Sequence, residues 1–148
     1  MIDLFNKKLN LNLDVTFLDK WFNRLGKMAI KDEEVIDTIK YLSSKYELVV
    51  LTNFIKELQI ERLKTAGLYE YFKSVIGGEL FIKPSIESFN LAIRPNKPDE
   101  CIMIGDNIDV DILGAINAGV RPILIDIHND KEYDGEVIHK ISELKEML

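Results

Sequence analysis

Apolar and polar residues alternate along this chain in blocks whose period changes. Between Asp32 and Lys45, the residues Val35, Ile36, Ile39, Tyr41 and Leu42 recur at helical spacing. Residues 48–51 form a short apolar run that ends at Thr52-Asn53, the pattern of a buried strand. A helix is predicted over 55–66, carrying Leu58, Ile60 and Leu63, with Gly67 at its stop. Residues 74–76 read as a brief strand closed by Gly77-Gly78. A helix over 86–93 lies between the start signal Pro84-Ser85 and the stop signal Pro95. A second strand over 101–104 ends at Gly105-Asp106, and a helix over 109–118 halts at Gly119. A third strand is predicted over 122–127 and a last helix over 141–148.

Strands that alternate with helices through short connections predict an α/β fold. The expected architecture is a three-layer sandwich with a mostly parallel, Rossmann-like sheet. Ligands in such folds bind beyond the carboxyl ends of the strands. The residues to weigh are therefore those just past each apolar run.

The length of 148 residues fits one domain spanning the whole chain. With 47% hydrophobic and 30% charged residues, the chain should fold rather than stay disordered. One cysteine, Cys101, excludes a disulfide scaffold, and two histidines are too few for a Cys/His zinc framework. No apolar run approaches a membrane span, and the first twelve residues lack the apolar stretch of a secretory signal. These features point to the cytoplasm. The net charge of −6 disfavours nucleic acid and anionic membranes as partners.

Three strand ends carry candidate chemistry. After the 101–104 strand comes Gly105-Asp106-Asn107-Ile108-Asp109-Val110-Asp111. Oxygen ligands of this kind suit a hard cation such as Mg²⁺, with Asp106 and Asp111 as candidate ligands. Capping of the following helix accounts for Asp109. Thr52 and Asn53 can donate to phosphate oxygens, or cap the next helix. Lys83 can neutralise a phosphate or an acidic cluster, or be ordinary solvated surface.

The order strand-Thr52-Asn53, Lys83-Pro84, then Gly105-Asp106-x4-Asp111 resembles three of the four motifs of the haloacid dehalogenase (HAD) superfamily. The stretch from Leu63 to Phe72 and that from Ile102 to Gly119 are similar to segments of the same family. The resemblance covers roughly residues 32–127. It implies a Mg²⁺-dependent phosphohydrolase core whose first motif, a strand followed by Asp-x-Asp-x-Thr, supplies an aspartate nucleophile and an acid/base.

That motif is not present as such. The nearest segment is Leu11-Asn12-Leu13-Asp14-Val15-Thr16, which places Asn12 on the nucleophile and Asp14 on the acid/base. Two readings stand. In one, residues 8–13 form the opening strand at the middle of the sheet, with Asn12 and Asp14 completing the catalytic and metal-binding set of Lys83, Asp106 and Asp111. In the other, Asp14 caps a helix carrying Val15, Leu18, Trp21, Phe22 and Leu25, and the first motif is missing. Topology favours the first, since a chain without a central strand would split its sheet and leave two edges unpaired. Asn10 is an odd residue for a strand buried on both faces.

The amide of Asn12 is neutral and cannot form an aspartyl-phosphate. A phosphatase-type site altered in this way would bind a phosphate ester and turn over poorly, or serve as a non-catalytic phosphate-recognition module. The gaps from Thr16 to Thr52 and from Asn53 to Lys83 are too short for a separate cap domain. An open site suits a phosphorylated macromolecule, or a phosphorylated small molecule enclosed by a second copy of the chain.

Overall fold

The computed structural model describes residues 6, 7 and 14–148. Two helices open this portion. In α1 (Val15–Gly26), the Asp14 carboxylate caps the first turn, its Oδ1 accepting from the Phe17 N–H at 2.9 Å. In α2 (Glu33–Ser43), Asp32 caps in the same way through the Val35 N–H. Then come β1 (Val49–Leu51), α3 (Lys56–Thr65), β2 (Ser74–Ile76) and α4 (Ile86–Ile93). The chain continues through β3 (Ile102–Gly105), a π-type turn over Ile108–Ile112, α5 (Leu113–Asn117) and β4 (Arg121–Ile125). It closes with β5 (Val137–Ile138), a 3-10 turn over Ile141–Glu143 and α6 (Leu144–Met147).

Most predicted elements form within a residue or two of their expected ends. Gly67 and Gly119 stop their helices at φ of 73° and 75°, a backbone region that costs other residues strain. The predicted helix over 109–118 instead starts as a π-type turn capped by Asn107, whose Oδ1 accepts from the Val110 N–H at 2.9 Å. Asn107, not Asp109, is therefore the cap. The two-residue strand β5 escaped the pattern reading because it is too short to show a period.

Every strand pair is parallel. Side chains of β3 alternate between two cores, as a strand covered on both faces requires. Ile102 and Ile104 pack with Leu42, Ile123, Ile138 and Leu144 under α2 and α6. Cys101 and Met103 pack with Phe89, Ala115 and Val120 under α4 and α5. The three-layer α/β architecture is thus present.

The sheet is nevertheless in two pieces among the described residues. One pairs β1 with β2, and the other has the order β3-β4-β5. The expected opening strand at 8–13, Asn12 included, lies outside the described residues.

Helix α1 packs on α3, where the Thr65 hydroxyl meets the Gly26 carbonyl at 3.5 Å. Trp21 is about half exposed, and its ring lies 5.6 Å from that of Phe22.

Candidate active site

The site is built from loops that follow β1, β2 and β3. Thr52 extends the β1 ladder, its N–H donating to the Ile76 carbonyl at 2.9 Å. Its hydroxyl oxygen accepts from the Phe54 N–H at 3.1 Å, which fixes the turn into α3.

Asn53 reaches across to the Lys83 loop. Its Oδ1 accepts from the Lys83 N–H at 2.6 Å, and its Nδ2 donates to the Lys83 carbonyl at 3.0 Å. Both polar ends of the amide therefore grip one residue's backbone, next to the cis Lys83-Pro84 bond. The geometry makes Asn53 a positioning group for Lys83, rather than the direct phosphate donor expected of it.

Lys83 Nζ lies 2.5 Å from Asp111 Oδ1, and the two side chains keep only 10% and 5% of their surface. The second Asp111 oxygen accepts from the Asn107 N–H at 3.1 Å. This close fit depends on Gly105, since a Cβ there would stand 2.3 Å from that of Asp111. Removing either charge would strand the other in a poorly solvated corner. Asn53, Lys83 and Asp111 thus converge from three strand ends, as the strand-end rule requires.

The other expected ligands do not join them. Asp14, which follows the strand expected over residues 8–13, caps α1. Besides the Phe17 N–H, its Oδ1 accepts from the Thr16 hydroxyl at 2.7 Å. These bonds hold its carboxyl below the usual aspartate value, the Thr16 hydroxyl contributing most. Asp-x-Thr before an apolar helical run satisfies orphan N–H groups at once. Asp106 is exposed in the loop after β3.

Two of the residues expected to hold Mg²⁺ have other partners in this structure. Asp111 spends one oxygen on an ammonium and the other on a backbone N–H, and Asp14 is committed to its helix. No three His, Cys, Asp or Glu side chains gather to hold a metal among the described residues. The joint ligand set of Asn12, Asp14, Asp106 and Asp111 is not tested here, because Asn12 lies outside the described residues.

Two further carboxylates went unnoticed in the sequence. Glu79, in the loop after β2, accepts from the Lys56 N–H at 2.6 Å and fills the positive end of α3. That bond draws its carboxyl below the usual glutamate range. Asp126 follows β4 and is 1% exposed. Burial raises its pKa, but the N–H groups of Lys131 and Asp130 and the Lys131 charge outweigh it, and the net direction is down. It organises the 126–131 loop, taking the Lys131 N–H at 3.0 Å.

Residues 1–125 match the family described as haloacid dehalogenase-like hydrolase. The chain belongs to that family. Among its curated relatives is the glyceraldehyde 3-phosphate phosphatase of Methanothermobacter thermautotrophicus, 38% identical over 75% of this chain and 55% of the relative. A phosphoserine phosphatase of Thermus thermophilus is 42% identical over 53% of this chain and 33% of its own length. The chain spans about half the length of the curated relatives it matches. Among solved structures, a HAD phosphatase from Thermococcus onnurineus superposes with a TM-score of 0.76 at 26% identity, covering 98% of this chain and 69% of the other. The L-2-haloacid dehalogenase of Xanthobacter autotrophicus gives 0.81 at 17% identity over 95% and 69%, a likeness of fold alone. No described helix is long and apolar enough to cross a membrane.

Proposed function

We propose that this HAD-family chain binds a small phosphate monoester through a phosphatase-type site centred on Lys83. One observation carries the reading: at the carboxyl ends of β1 and β3 the Lys83 backbone is gripped by the Asn53 amide while its buried ammonium is held by Asp111. A cation held there meets a phosphate with little reorganisation and little competition from water. The Thr52 hydroxyl, at the end of β1, is the further donor this reading assigns to the phosphate. The phosphatases among its relatives support phosphate over other leaving groups.

Turnover is the weak half of this site. Asp111 is tied to Lys83 and is no free nucleophile, and in our reading Asn12 contributes a neutral amide where a carboxylate would attack phosphorus. No hydrolytic step is assigned to Mg²⁺, because the described carboxylates do not assemble its ligands. The geometry therefore also favours a recognition module that holds phosphate without cleaving it. Hydrolysis of p-nitrophenyl phosphate by the native chain and by Asn12→Asp, beside a titration with inorganic phosphate, separates the two. Phosphate binding without native turnover is expected. Rapid native turnover excludes the recognition module, and absence of binding to either form removes the proposal altogether.

A further inference from the structure

Helix α4 presents a charged-ended stripe to solvent. Its Ser88 and Phe89 face the core and are buried. On the opposite side, Glu87, Asn90, Leu91 and Arg94 follow one another at spacings of three, one and three, which sets them in one line along the helix. With Phe81 they line a shallow groove of about 160 Å³. That is below the ~300 Å³ from which small-molecule pockets start. The segment leading into α4 adds apolar surface: Leu80, Phe81, Ile82 and Ile86 are between 44% and 78% exposed. This segment is fixed at both ends. Before it, the Gly78 N–H donates to the Phe54 carbonyl at 3.1 Å and Glu79 accepts from the Lys56 N–H. After it, Asn53 grips Lys83. An apolar loop held in this way loses little freedom when it is covered.

The two ends of the stripe carry opposite charge. Glu87 lies in the first turn of α4, and Arg94 directly follows its last residue. About 10 Å of helix axis separates them, which is beyond the reach of an ion pair within one chain. Among the described residues, neither has an ion-pair partner. A second α4 laid antiparallel on the first, about a two-fold axis near Asn90 and Leu91, sets Glu87 of each copy opposite Arg94 of the other. Both pairs then form at once, with the two Leu91 side chains between them. A parallel packing would set glutamate against glutamate and arginine against arginine. The chain therefore carries the complement of its own stripe, and only in the antiparallel sense.

We propose that the exposed face of α4, with residues 80–82 beside it, is the contact surface of a two-fold homodimer in which Glu87 and Arg94 pair across the axis. The inference goes beyond the phosphatase reading and does not depend on it. The apolar residues supply the affinity. Exposed ion pairs add little to it, and here they fix register and direction.

The test is sedimentation equilibrium of the full chain and of two charge reversals, Glu87→Arg and Arg94→Glu. Both side chains are exposed, so both variants should keep the native circular dichroism spectrum. The native chain should dimerise at micromolar concentration. Each variant alone sets like charges against each other at both ends of the stripe and should dimerise at least about tenfold more weakly. An equimolar mixture of the two variants should associate as the native chain does, because every pair in the mixed dimer is again of opposite charge. Leu91→Asp, which brings two carboxylates together at the axis, should leave the chain monomeric. A native chain that stays monomeric at millimolar concentration overturns the proposal. So do single variants that dimerise as well as the native chain, a mixture that associates no better than either variant, or a dimer that survives Leu91→Asp.

Discussion

β3 and β4 carry nearly the same kind of sequence, Ile-Met-Ile-Gly against Arg-Pro-Ile-Leu-Ile, yet they end in different environments. β4 has a strand on each side, and Ile123 and Leu124 are 0% exposed. β3 has a described neighbour on one side only, and its three apolar residues stay half-buried, as do those of β1. Between β3 and β4, burial tracks the number of described pairing partners. The two half-sheets are tied at their carboxyl ends by the contacts of Lys83 with Asn53 and Asp111, the same residues that form the site.

Breaking that tie should have the largest effect. Asp111→Asn is expected to cost about 3–5 kcal/mol in urea unfolding, since it strands a buried ammonium. The double change Lys83→Met with Asp111→Leu should recover much of that loss. A double variant no more stable than Asp111→Asn would show that packing, not the charge pair, joins the halves.

The contrast between strands comes next. Ile123→Ala should cost about 2–5 kcal/mol, and Ile104→Ala clearly less, because its side chain is already partly in water. Equal losses would erase the distinction between the closed and open sides of the sheet. Gly105→Ala should cost about 1–3 kcal/mol by pushing Asp111 off its place, with a matching loss of phosphate affinity.

The smallest expected effect is in acid. The Asp126 carboxyl titrates below its ordinary value of 3.8 in the folded chain. Its contribution to stability is present above pH 3.8 and is lost as pH falls through the lower folded value. Asp126→Asn should flatten that part of the stability profile, measured by thermal unfolding between pH 2 and 5. An unchanged slope would show that its bonds to the Lys131 loop do not favour the ionised form.

Much of this was legible in the residues themselves. The strand-helix alternation and its glycine stops are local signals, and they placed the helix over 86–93 to the residue. The strand ends carrying Thr52, Lys83 and Asp111 were legible too, since ligand sites in α/β sheets follow the strands. What local pattern does not encode is who holds whom. The grip of Asn53 on the Lys83 backbone joins residues 30 apart, and the Lys83–Asp111 pair joins residues 28 apart. Asp14 is legible for the opposite reason: its capping partners Thr16 and Phe17 lie within three residues of it.

The central claim is that the lysine fixed between Asn53 and Asp111 holds phosphate. It is tested most directly by titrating inorganic phosphate into the chain while following backbone amide signals. The account predicts shifts clustered at Thr52, Asn53 and Phe54, absent in the folded Lys83→Met, Asp111→Leu variant. Undiminished shifts in that variant, or shifts centred elsewhere in the molecule, would contradict it.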